Sequence, residues 1–321
     1  MHYDVTAIGE LLMDFTQNGV SPLGNRIFEA NPGGAPCNVL AMLQKLGKST
    51  AFLGKIGDDI FGKSLTEVVS QTGIDLTGLV VDAYARTTLA FVQNTPDGDR
   101  DFSFYRNPGA DQRLTPEEVC IDIIRQSRIF HFGTLSLTDE PSRSATQLAV
   151  NTAADAGVTI SFDPNLRLPI WSSPAKAREQ MLWGCGKCRI LKLAEEELSF
   201  LTGKEDIRTG VVALRSQFPN IHLILVTKGK NGAEAFLRNW HVCVPAFLSV
   251  KTIDTTGAGD TFLGSCLFYL LEHNLELFSE EQLLEMIRFA SAAAALVTTH
   301  KGAICAMPTR LEIEGLLRHI C

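Results

Sequence analysis

The segment from 158 to 226 carries the pattern that fixes the fold class. This segment contains three short apolar runs, Val158-Thr-Ile-Ser-Phe162, Arg189-Ile-Leu-Lys-Leu193 and Ile221-His-Leu-Ile-Leu-Val226. Helix-length stretches at 195–202 and 206–217 lie between the second run and the third. Similar short runs occur earlier in the chain, at 5–9, 49–54 and 128–132. Apolar strands that alternate with helices are typical of a parallel sheet covered on both faces. The sequence therefore predicts a doubly wound α/β fold, with a mainly parallel sheet flanked by helices.

Two segments depart from this alternation. Segment 11–32 contains alternating pieces with Gly and Pro turns, and segment 86–107 contains two alternating runs around Pro96-Asp-Gly-Asp99. Asp-Gly between such runs is a strong hairpin signal. We predict that the segments form a small β-sheet lid, which would exclude water by closing over a substrate. Two surface hairpins without a function fit the same pattern. Residues 1–321 otherwise read as a single domain, without a linker or an internal repeat.

The overall composition excludes several classes of partner. The net charge of -7 and the pI near 5.5 argue against nucleic acid, because phosphate backbones attract basic surfaces. No apolar run reaches the length of a membrane span, so we expect a cytoplasmic protein. Eight scattered cysteines do not suggest a disulfide framework. Cys185 and Cys188 have redox or metal spacing, but reduced thiols are the better interpretation.

The segment Asp254-Thr-Thr-Gly-Ala-Gly-Asp260 is the strongest candidate for chemistry. It precedes an apolar run from Thr261 to Leu271 that is long enough for a buried helix. Glycines allow backbone N–H groups to converge on an anion, and the N-terminus of a helix adds partial positive charge. A carboxylate beside this cradle, Asp260, could accept a proton from an attacking hydroxyl. A glycine-rich turn in which Asp260 only caps the helix fits the motif equally well.

A second motif competes for the phosphate role. Gly57-Asp-Asp-Ile-Phe-Gly-Lys-Ser64 matches the P-loop pattern letter for letter, so a P-loop-type NTPase must be considered. Asp58 and Asp59 place two negative charges in a loop that would embrace phosphates. We therefore expect Lys63 to be a solvated residue in the first turn of a helix.

Several segments together resemble the PfkB (ribokinase-like) carbohydrate kinases, from Ile8 to about Pro308. Gly33-Gly-Ala-Pro-Cys-Asn38 is similar to the family's N-terminal pattern, and Asp254 to Asp260 is similar to its C-terminal pattern. The resemblance implies a ribokinase-like fold and transfer of phosphate from ATP to a sugar. It also implies that Gly257, Ala258 and Gly259 form an anion hole and that Asp260 is the base. The lid often mediates homodimers in this family.

The resemblance also implies the binding residues. The sugar-binding positions would be Asp14, Gly33, Gly34 and Asn38. The ATP-binding positions would be Lys192, Glu197, Thr227, Gly229, Gly232, Ser291 and Ala295. Glu197 would also organise Mg²⁺ through water, although Ala194 replaces the family's Asn in that segment. K⁺ would be held mainly by backbone carbonyls, at Asp254, Thr256, Val297, His300 and Gly302.

Among the members of the family, fructokinases are the most similar. The similarity lies in three segments, which are Phe104-Tyr-Arg-Asn-Pro-Gly-Ala-Asp111, Phe130-His-Phe-Gly-Thr-Leu-Ser136 and Ser161-Phe-Asp-Pro-Asn-Leu-Arg167. We predict phosphorylation of D-fructose to fructose 6-phosphate, with Arg106 and Arg167 as substrate contacts. Two arginines could equally bind a carboxylate, so a 2-keto-3-deoxygluconate kinase is the first alternative and a ribokinase the next. A non-catalytic sugar or nucleotide sensor on the same scaffold is an alternative of a different class.

Overall fold

A computed structural model describes residues 3–94, 100–276 and 279–318 of the 321-residue chain, without the side chains of 93–94 and 100–102. The described strands are β1 (Tyr3–Ile8), β2 (Leu12–Val20), β3 (Arg26–Gly33), β4 (Thr50–Gly57), β5 (Asp75–Asp82), β6 (Leu89–Asn94), β7 (Arg100–Tyr105), β8 (Ser127–Phe132), β9 (Thr159–Phe162), β10 (Ile190–Ala194), β11 (Leu223–Thr227), β12 (Ala233–Leu237) and β13 (Trp240–Val244). The described α-helices are α1 (Ala35–Lys45), α2 (Ile60–Gln71), α3 (Ile121–Arg125), α4 (Ser142–Asp155), α5 (Pro174–Cys185), α6 (Glu195–Thr202), α7 (Ile207–Gln217), α8 (Ala258–Glu272), α9 (Glu280–Val297) and α10 (Arg310–Arg318).

The main sheet has nine strands in the order β13-β12-β11-β10-β9-β8-β1-β4-β5. Every neighbouring pair from β11 to β5 is parallel. Strands β12 and β13 add an antiparallel hairpin at one edge. The prediction of a mainly parallel sheet is therefore confirmed, and the carboxyl ends of seven consecutive strands in the sheet meet at one edge.

Helices cover both faces of the main sheet. Val5 and Ala7 of β1 pack into a core with α1, α8 and α9, whereas Ile8 packs into a second core with α4 and α6. Strand β4 is buried along its whole length, as expected for a strand covered on both faces. The predicted doubly wound arrangement follows from this burial on two sides.

A second sheet has four strands in the order β3-β2-β6-β7. Strands β2 and β3 form an antiparallel hairpin, β6 lies parallel to β2, and β7 is antiparallel to β6. Phe91 stacks on Phe15 with 4.9 Å between ring centroids, and its ring also meets Phe28 and Tyr105 edge-on. Segments 11–32 and 86–107 thus supply this small sheet. The predicted turn at 96–99 lies outside the described residues.

The hydropathy of the helices and the environment of two cysteines bear on the predictions made from composition. In the ranges given above, no helix has the length and hydropathy that a bilayer span requires. Cys185 and Cys188 are buried free thiols at the end of α5. Burial raises the pKa of Cys185 to about 12, which disfavours the reactive thiolate. These two cysteines are therefore part of the packing.

Candidate active site

A cavity of about 240 Å³ opens at the carboxyl edge of the main sheet, next to the small sheet. Its walls come from the ends of β1, β9 and β10, from the first turns of α1 and α8, and from two strands of the small sheet. The lining residues are Glu10, Leu12, Asp14, Gly34, Ala35, Asn38, Phe104, Leu135, Asn165, Arg167, Lys192, Thr255, Thr256, Gly257, Ala258, Gly259 and Asp260. Ligands of open α/β sheets bind at this edge. The cavity therefore brings together most of the residues predicted for phosphate and sugar.

The glycine-rich turn at 257–260 opens helix α8. Gly257 has a φ of 75°, a left-handed conformation that favours glycine, and a Cβ there would lie 2.4 Å from the Ala303 side chain. A Cβ at Gly259 would lie 2.9 Å from Nζ of Lys192, so this glycine keeps the lysine close to the turn. The first N–H groups of a helix have no partner within the helix, and they favour an anion in front of them. The turn has the geometry of a phosphate cradle.

Asp260 lies in the first turn of α8 and is 7% exposed. The side-chain amide of Asn38 donates a hydrogen bond of 2.8 Å to Oδ2 of Asp260. Burial and then the negative charge of Asp163 raise the pKa of Asp260 to about 6, and Asn38, Lys192 and Arg167 oppose this rise. A carboxylate with a pKa near 6 is mostly ionised at neutral pH and is a stronger base than an exposed aspartate.

A buried ion pair lies beside this carboxylate. Nζ of Lys192 is 2.8 Å from Oδ2 of Asp163, and both side chains are almost fully buried. Burial by itself would lower the pKa of Lys192, but the negative charges of Asp163, Glu197 and Asp260 outweigh it and raise the pKa. The lysine therefore stays cationic at the floor of the cavity. Fixed positive charge in such a place stabilises negative charge that develops during a reaction.

Glu197 lies behind the ion pair, at the start of α6. Its Oε1 accepts from the N–H of Leu166 at 2.6 Å, and its Oε2 accepts from the N–H of Ala194 at 2.7 Å. Burial and the charge of Asp163 raise the pKa of Glu197. Both carboxylate oxygens thus accept from backbone N–H groups, and Glu197 does not line the cavity. A water-mediated hold of Glu197 on Mg²⁺ stays a prediction.

The glycine pair at the start of α1 allows close approach of two chain segments. A Cβ at Gly33 would lie 2.3 Å from Oδ2 of Asp14, and a Cβ at Gly34 would lie 2.4 Å from the carbonyl oxygen of Glu10. Gly34 also has a φ of 131°. Any larger residue would push Asp14 or the Glu10 backbone away from the cavity. Gly33 is not itself among the lining residues.

The two predicted arginines occupy different environments. Arg167 lines the cavity, and its charge lowers the pKa of Asp260. Arg106 is 3% exposed and is bound to Asp111, to Oγ1 of Thr138 and to the carbonyl of Leu135. The Arg106 guanidinium is committed to these partners and does not line the cavity. In this structure the guanidinium fastens the end of β7 to the main domain, and the substrate contact at Arg106 stays a prediction.

The residues predicted for ATP lie outside the 240 Å³ cavity, apart from Lys192. Thr227 ends β11 beside Ala194, and a glycine-containing turn follows, in which Gly229 and Gly232 have φ values of 51° and 92°. A Cβ at Gly232 would lie 2.0 Å from the carbonyl of Val244, so only glycine fits there. Ser291 and Ala295 are one turn apart on α9. The assignment of these residues to ATP stays a prediction.

The positions predicted for a monovalent cation form two adjoining segments. Asp254 accepts hydrogen bonds from the backbone and hydroxyl of Thr256 at 2.9 and 2.7 Å, and from the N–H of Gly302 at 3.1 Å. The N–H groups of Ile253 and Asp254 donate to the carbonyl of Thr298, next to Val297 and two residues before His300. The segments are thus held side by side, as a cation held by backbone carbonyls would require.

The P-loop-like motif has an ordinary structural role. Asp59 caps α2 by accepting from the N–H groups of Phe61 and Gly62, at 3.1 and 2.8 Å. Its carboxylate also accepts from the N–H and hydroxyl of Thr87, at 2.8 and 2.9 Å. Lys63 is solvated and pairs with Asp58. The chain's own carboxylate accepts from the N–H groups that would face a phosphate, which disfavours the P-loop interpretation.

Two carboxylates of the site were missed by sequence reasoning. Asp163 directly follows β9, and Glu10 lies two residues after β1, so a carboxylate at the end of a buried strand was the available signal. Oε1 of Glu10 accepts from the N–H of Ala35 at 2.8 Å, while Oε2 is buried without a hydrogen-bond partner among the described residues. Burial raises the pKa of Glu10 to about 7.

Comparison with known proteins gives concordant results. The chain matches the profile described as pfkB family carbohydrate kinase over residues 3–310. It is 43% identical to probable fructokinase-2 of Arabidopsis thaliana over 316 residues, covering 98% of this chain and 95% of that protein. It is 44% identical to a fructokinase of Solanum tuberosum, with the same coverage of both chains.

Solved structures give the same picture. Fructokinase from Xylella fastidiosa with bound ATP superimposes with a TM-score of 0.89 at 30% identity, covering 99% of both chains. Fructokinase from Vibrio cholerae with fructose, ADP and a calcium ion superimposes with a TM-score of 0.86 at 32% identity, covering 98% of both chains.

Proposed function

Because the chain belongs to the pfkB family of carbohydrate kinases, we propose that it is an ATP-dependent fructokinase that forms fructose 6-phosphate. The observation that carries this proposal is the hydrogen bond from Asn38 to Asp260, beside the glycine-rich turn. The pair joins the two family motifs in one cavity, with a base on one side and hydroxyl-binding groups on the other. Relatives named as fructokinases and a neighbour with bound fructose and ADP support the choice of sugar.

The chemical step follows from this geometry. Asp260 accepts the proton of the 6-hydroxyl, and the resulting oxygen nucleophile attacks the γ-phosphorus of ATP. The N–H groups of the turn at 257–260 and the ammonium of Lys192 neutralise the charge on the transferring group, while ADP leaves. Asp14, Asn38 and Arg167 hold the sugar hydroxyls, so that the reacting oxygen stays in line.

ATP extends from the cavity along the loops at 192–197 and 227–232, towards Ser291 and Ala295 of α9. Mg²⁺ held through water by Glu197 would neutralise charge on the phosphates of ATP. K⁺ would bind between the segments at 254–256 and 297–302. The ATP-bound neighbour and the neighbours with a bound metal ion support binding of a nucleotide and of a cation.

The small sheet acts as a lid and as a dimer surface in this proposal. Asp14 of β2 and Phe104 of β7 form part of the cavity wall, so movement of the sheet would open or close the site. Val20, Leu23 and Ile27 expose apolar side chains on the β2–β3 hairpin, at 59%, 87% and 44%. We expect this surface to be covered in a homodimer, which light scattering of wild type and Leu23→Asp would detect.

The free cysteines agree with the reducing conditions of the cytoplasm.

The deciding experiment is ADP release with D-fructose, 2-keto-3-deoxygluconate and D-ribose as acceptors. D-fructose should give the highest kcat/KM, because the similar proteins are named as fructokinases and one of them binds fructose. Asp260→Asn should lower kcat by about 10²- to 10⁴-fold, the range for a general base, and should leave fructose binding within a few fold. Asp58→Asn is the matched control, because Asp58 is exposed and outside the cavity.

Two results would contradict this function. Near wild-type turnover by Asp260→Asn would remove the proposed base. Binding of fructose and ATP without turnover of any acceptor by the wild type would instead indicate a sensor.

A further inference from the structure

A second cavity, of about 590 Å³, lies at the opposite edge of the main sheet from the active site. Thr159, Ile190 and Leu223 line it, and each of these lies at the beginning of a parallel strand, β9, β10 or β11. The same three strands end near Asp163, Lys192 and Thr227, on the active-site side. The volume is within the range of pockets that bind small molecules.

Positive charge is concentrated on one wall of this cavity. Arg189, Arg215, Arg238 and His222 all line it. In the part of the chain that the structure describes, no carboxylate forms an ion pair with any of the three arginines, and Glu276 is the acidic residue of the lining. The chain as a whole has a net charge of -7, so this basic wall contrasts with the rest of the molecule.

Hydrogen bonds hold the basic groups in place. Arg215 donates to the carbonyl of Arg238 at 2.7 Å and to the carbonyl of His222 at 3.4 Å. Arg189 lies 3.0 Å from Nδ1 of His222. Burial and then the charges of Arg189 and Arg238 lower the pKa of His222, so the ring is neutral at pH 7 and accepts at Nδ1 from the arginine. Its Nε2–H is then a further donor.

Apolar residues also line the cavity, together with the polar Asn239 and Asn274. Leu237 of β12, Leu270 of α8 and Leu275 beyond α8 line the cavity. Asn274 and Leu275 both have a positive φ, of 52° and 64°, and so the chain turns sharply there to complete the lining. A cavity lined by both arginines and leucines matches an organic molecule that carries an anionic group. Guanidinium groups recognise phosphate oxygens through paired N–H donors.

We propose that this second cavity binds a small phosphorylated metabolite, with its phosphate against Arg189 and Arg238 and its organic part against the leucines of the lining. The volume exceeds what inorganic phosphate alone would fill, and the leucines give an organic group a binding contribution that a bare anion lacks. The concave shape and the negative net charge of the chain favour a small molecule over a nucleic acid.

The test uses the full chain with its active site filled by saturating fructose and a non-hydrolysable ATP analogue with Mg²⁺. Calorimetric titrations with fructose 1,6-bisphosphate, ADP and inorganic phosphate then report binding elsewhere. We expect one of the two organic phosphates to bind at least tenfold more tightly than inorganic phosphate, and the pair distinguishes a sugar phosphate from a nucleotide. The double variant Arg189→Gln/Arg238→Gln should weaken this binding at least tenfold.

Controls separate a site from general charge attraction. Arg125→Gln removes an exposed arginine of α3 that does not line the cavity and should change the Kd by less than twofold. Arg189→Lys keeps the charge and should retain more affinity than Arg189→Gln. Unchanged melting temperature and kcat would show that the double variant is folded. Absence of binding by both organic phosphates, equal binding by inorganic phosphate, or unchanged binding by the double variant would overturn the proposal.

Discussion

Replacing Asn38 by Ala should move the acidic limb of the pH profile of kcat/KM for fructose upward by one to two pH units. The Asn38 amide donates to Oδ2 of Asp260 at 2.8 Å and thereby stabilises the ionised form of a buried carboxylate. A hydrogen bond to a charged group contributes about 1.5–3 kcal/mol, and about 1.4 kcal/mol corresponds to one pKa unit. The pKa of Asp260, about 6 in the wild type, should therefore rise to about 7–8 in the variant.

The direction of this shift follows from which protonation form of Asp260 is active. The base must be ionised, so activity is present above the pKa of Asp260 and falls about tenfold per pH unit below it. The assay is chromatographic detection of ADP from pH 5 to pH 9 at saturating ATP and at fructose concentrations well below KM. The position of the limb then reports the pKa of Asp260 before fructose binds, whereas a loss of sugar affinity changes only its height. Asn151→Ala is the control, because Asn151 lies on α4 and bonds to Lys187.

A second carboxyl could produce the same limb. Glu10 lines the cavity, and burial raises its pKa to about 7. Glu10→Gln should keep the acidic limb if Asp260 is the base. The reasoning fails if the limb disappears in Glu10→Gln, or if Asn38→Ala shifts it by less than about 0.3 pH unit.

Three further predictions concern other parts of the molecule. Lys63→Ala should leave the KM for ATP within twofold of the wild type, because Asp59 fills the anion position of that turn; a tenfold rise would restore the P-loop interpretation. Gly34→Ala should destabilise the fold by about 2–3 kcal/mol in urea unfolding, owing to its φ of 131° and the nearby backbone carbonyl. Gly315→Ala, in the open on α10, should be neutral or slightly stabilising, and equal losses in both variants would contradict this account. Glu10 has a raised pKa in the folded state, so its protonated form stabilises the fold at low pH and this contribution is lost as the pH rises through about 7. The difference in unfolding free energy between Glu10→Gln and wild type should therefore shift by about 2–3 kcal/mol in favour of the variant from pH 5 to pH 8. A difference that does not change with pH would refute this prediction.

The strands of the main sheet were predictable where both faces are buried. Strands β8, β10 and β11 agree with the predicted runs to within two residues at each end. Strand β5 was missed because it is the edge strand and has a mixed pattern of burial, without a continuous apolar run. The hairpin of β12 and β13 was missed. Only the glycine-containing turn before it, at 227–232, was considered, and that turn was assigned to ATP.

The candidate site was predictable to the extent that its residues belong to local motifs. Asp260 and Asn38 each belong to one, and the structure places them 2.8 Å apart across 222 positions of sequence. The position of Asp163 after a buried strand was a local signal, but its pairing with Lys192 on the neighbouring strand was not encoded locally. Arg106 was assigned to the substrate, whereas Asp111, five residues further along, binds its guanidinium. Tertiary packing decides whether an arginine binds a nearby carboxylate or a substrate, so the residue type alone could not identify the partner of Arg106.

The carboxylate of Asp59 makes the turn at 57–64 an anion site whose ligand is part of the chain. A free phosphate would have to displace a carboxylate that belongs to the chain and loses no translational freedom when it binds. The P-loop pattern can therefore describe a helix start whose N–H groups are satisfied by the chain itself. For protein engineering, shortening this one side chain to Gly would vacate four backbone and hydroxyl contacts at once.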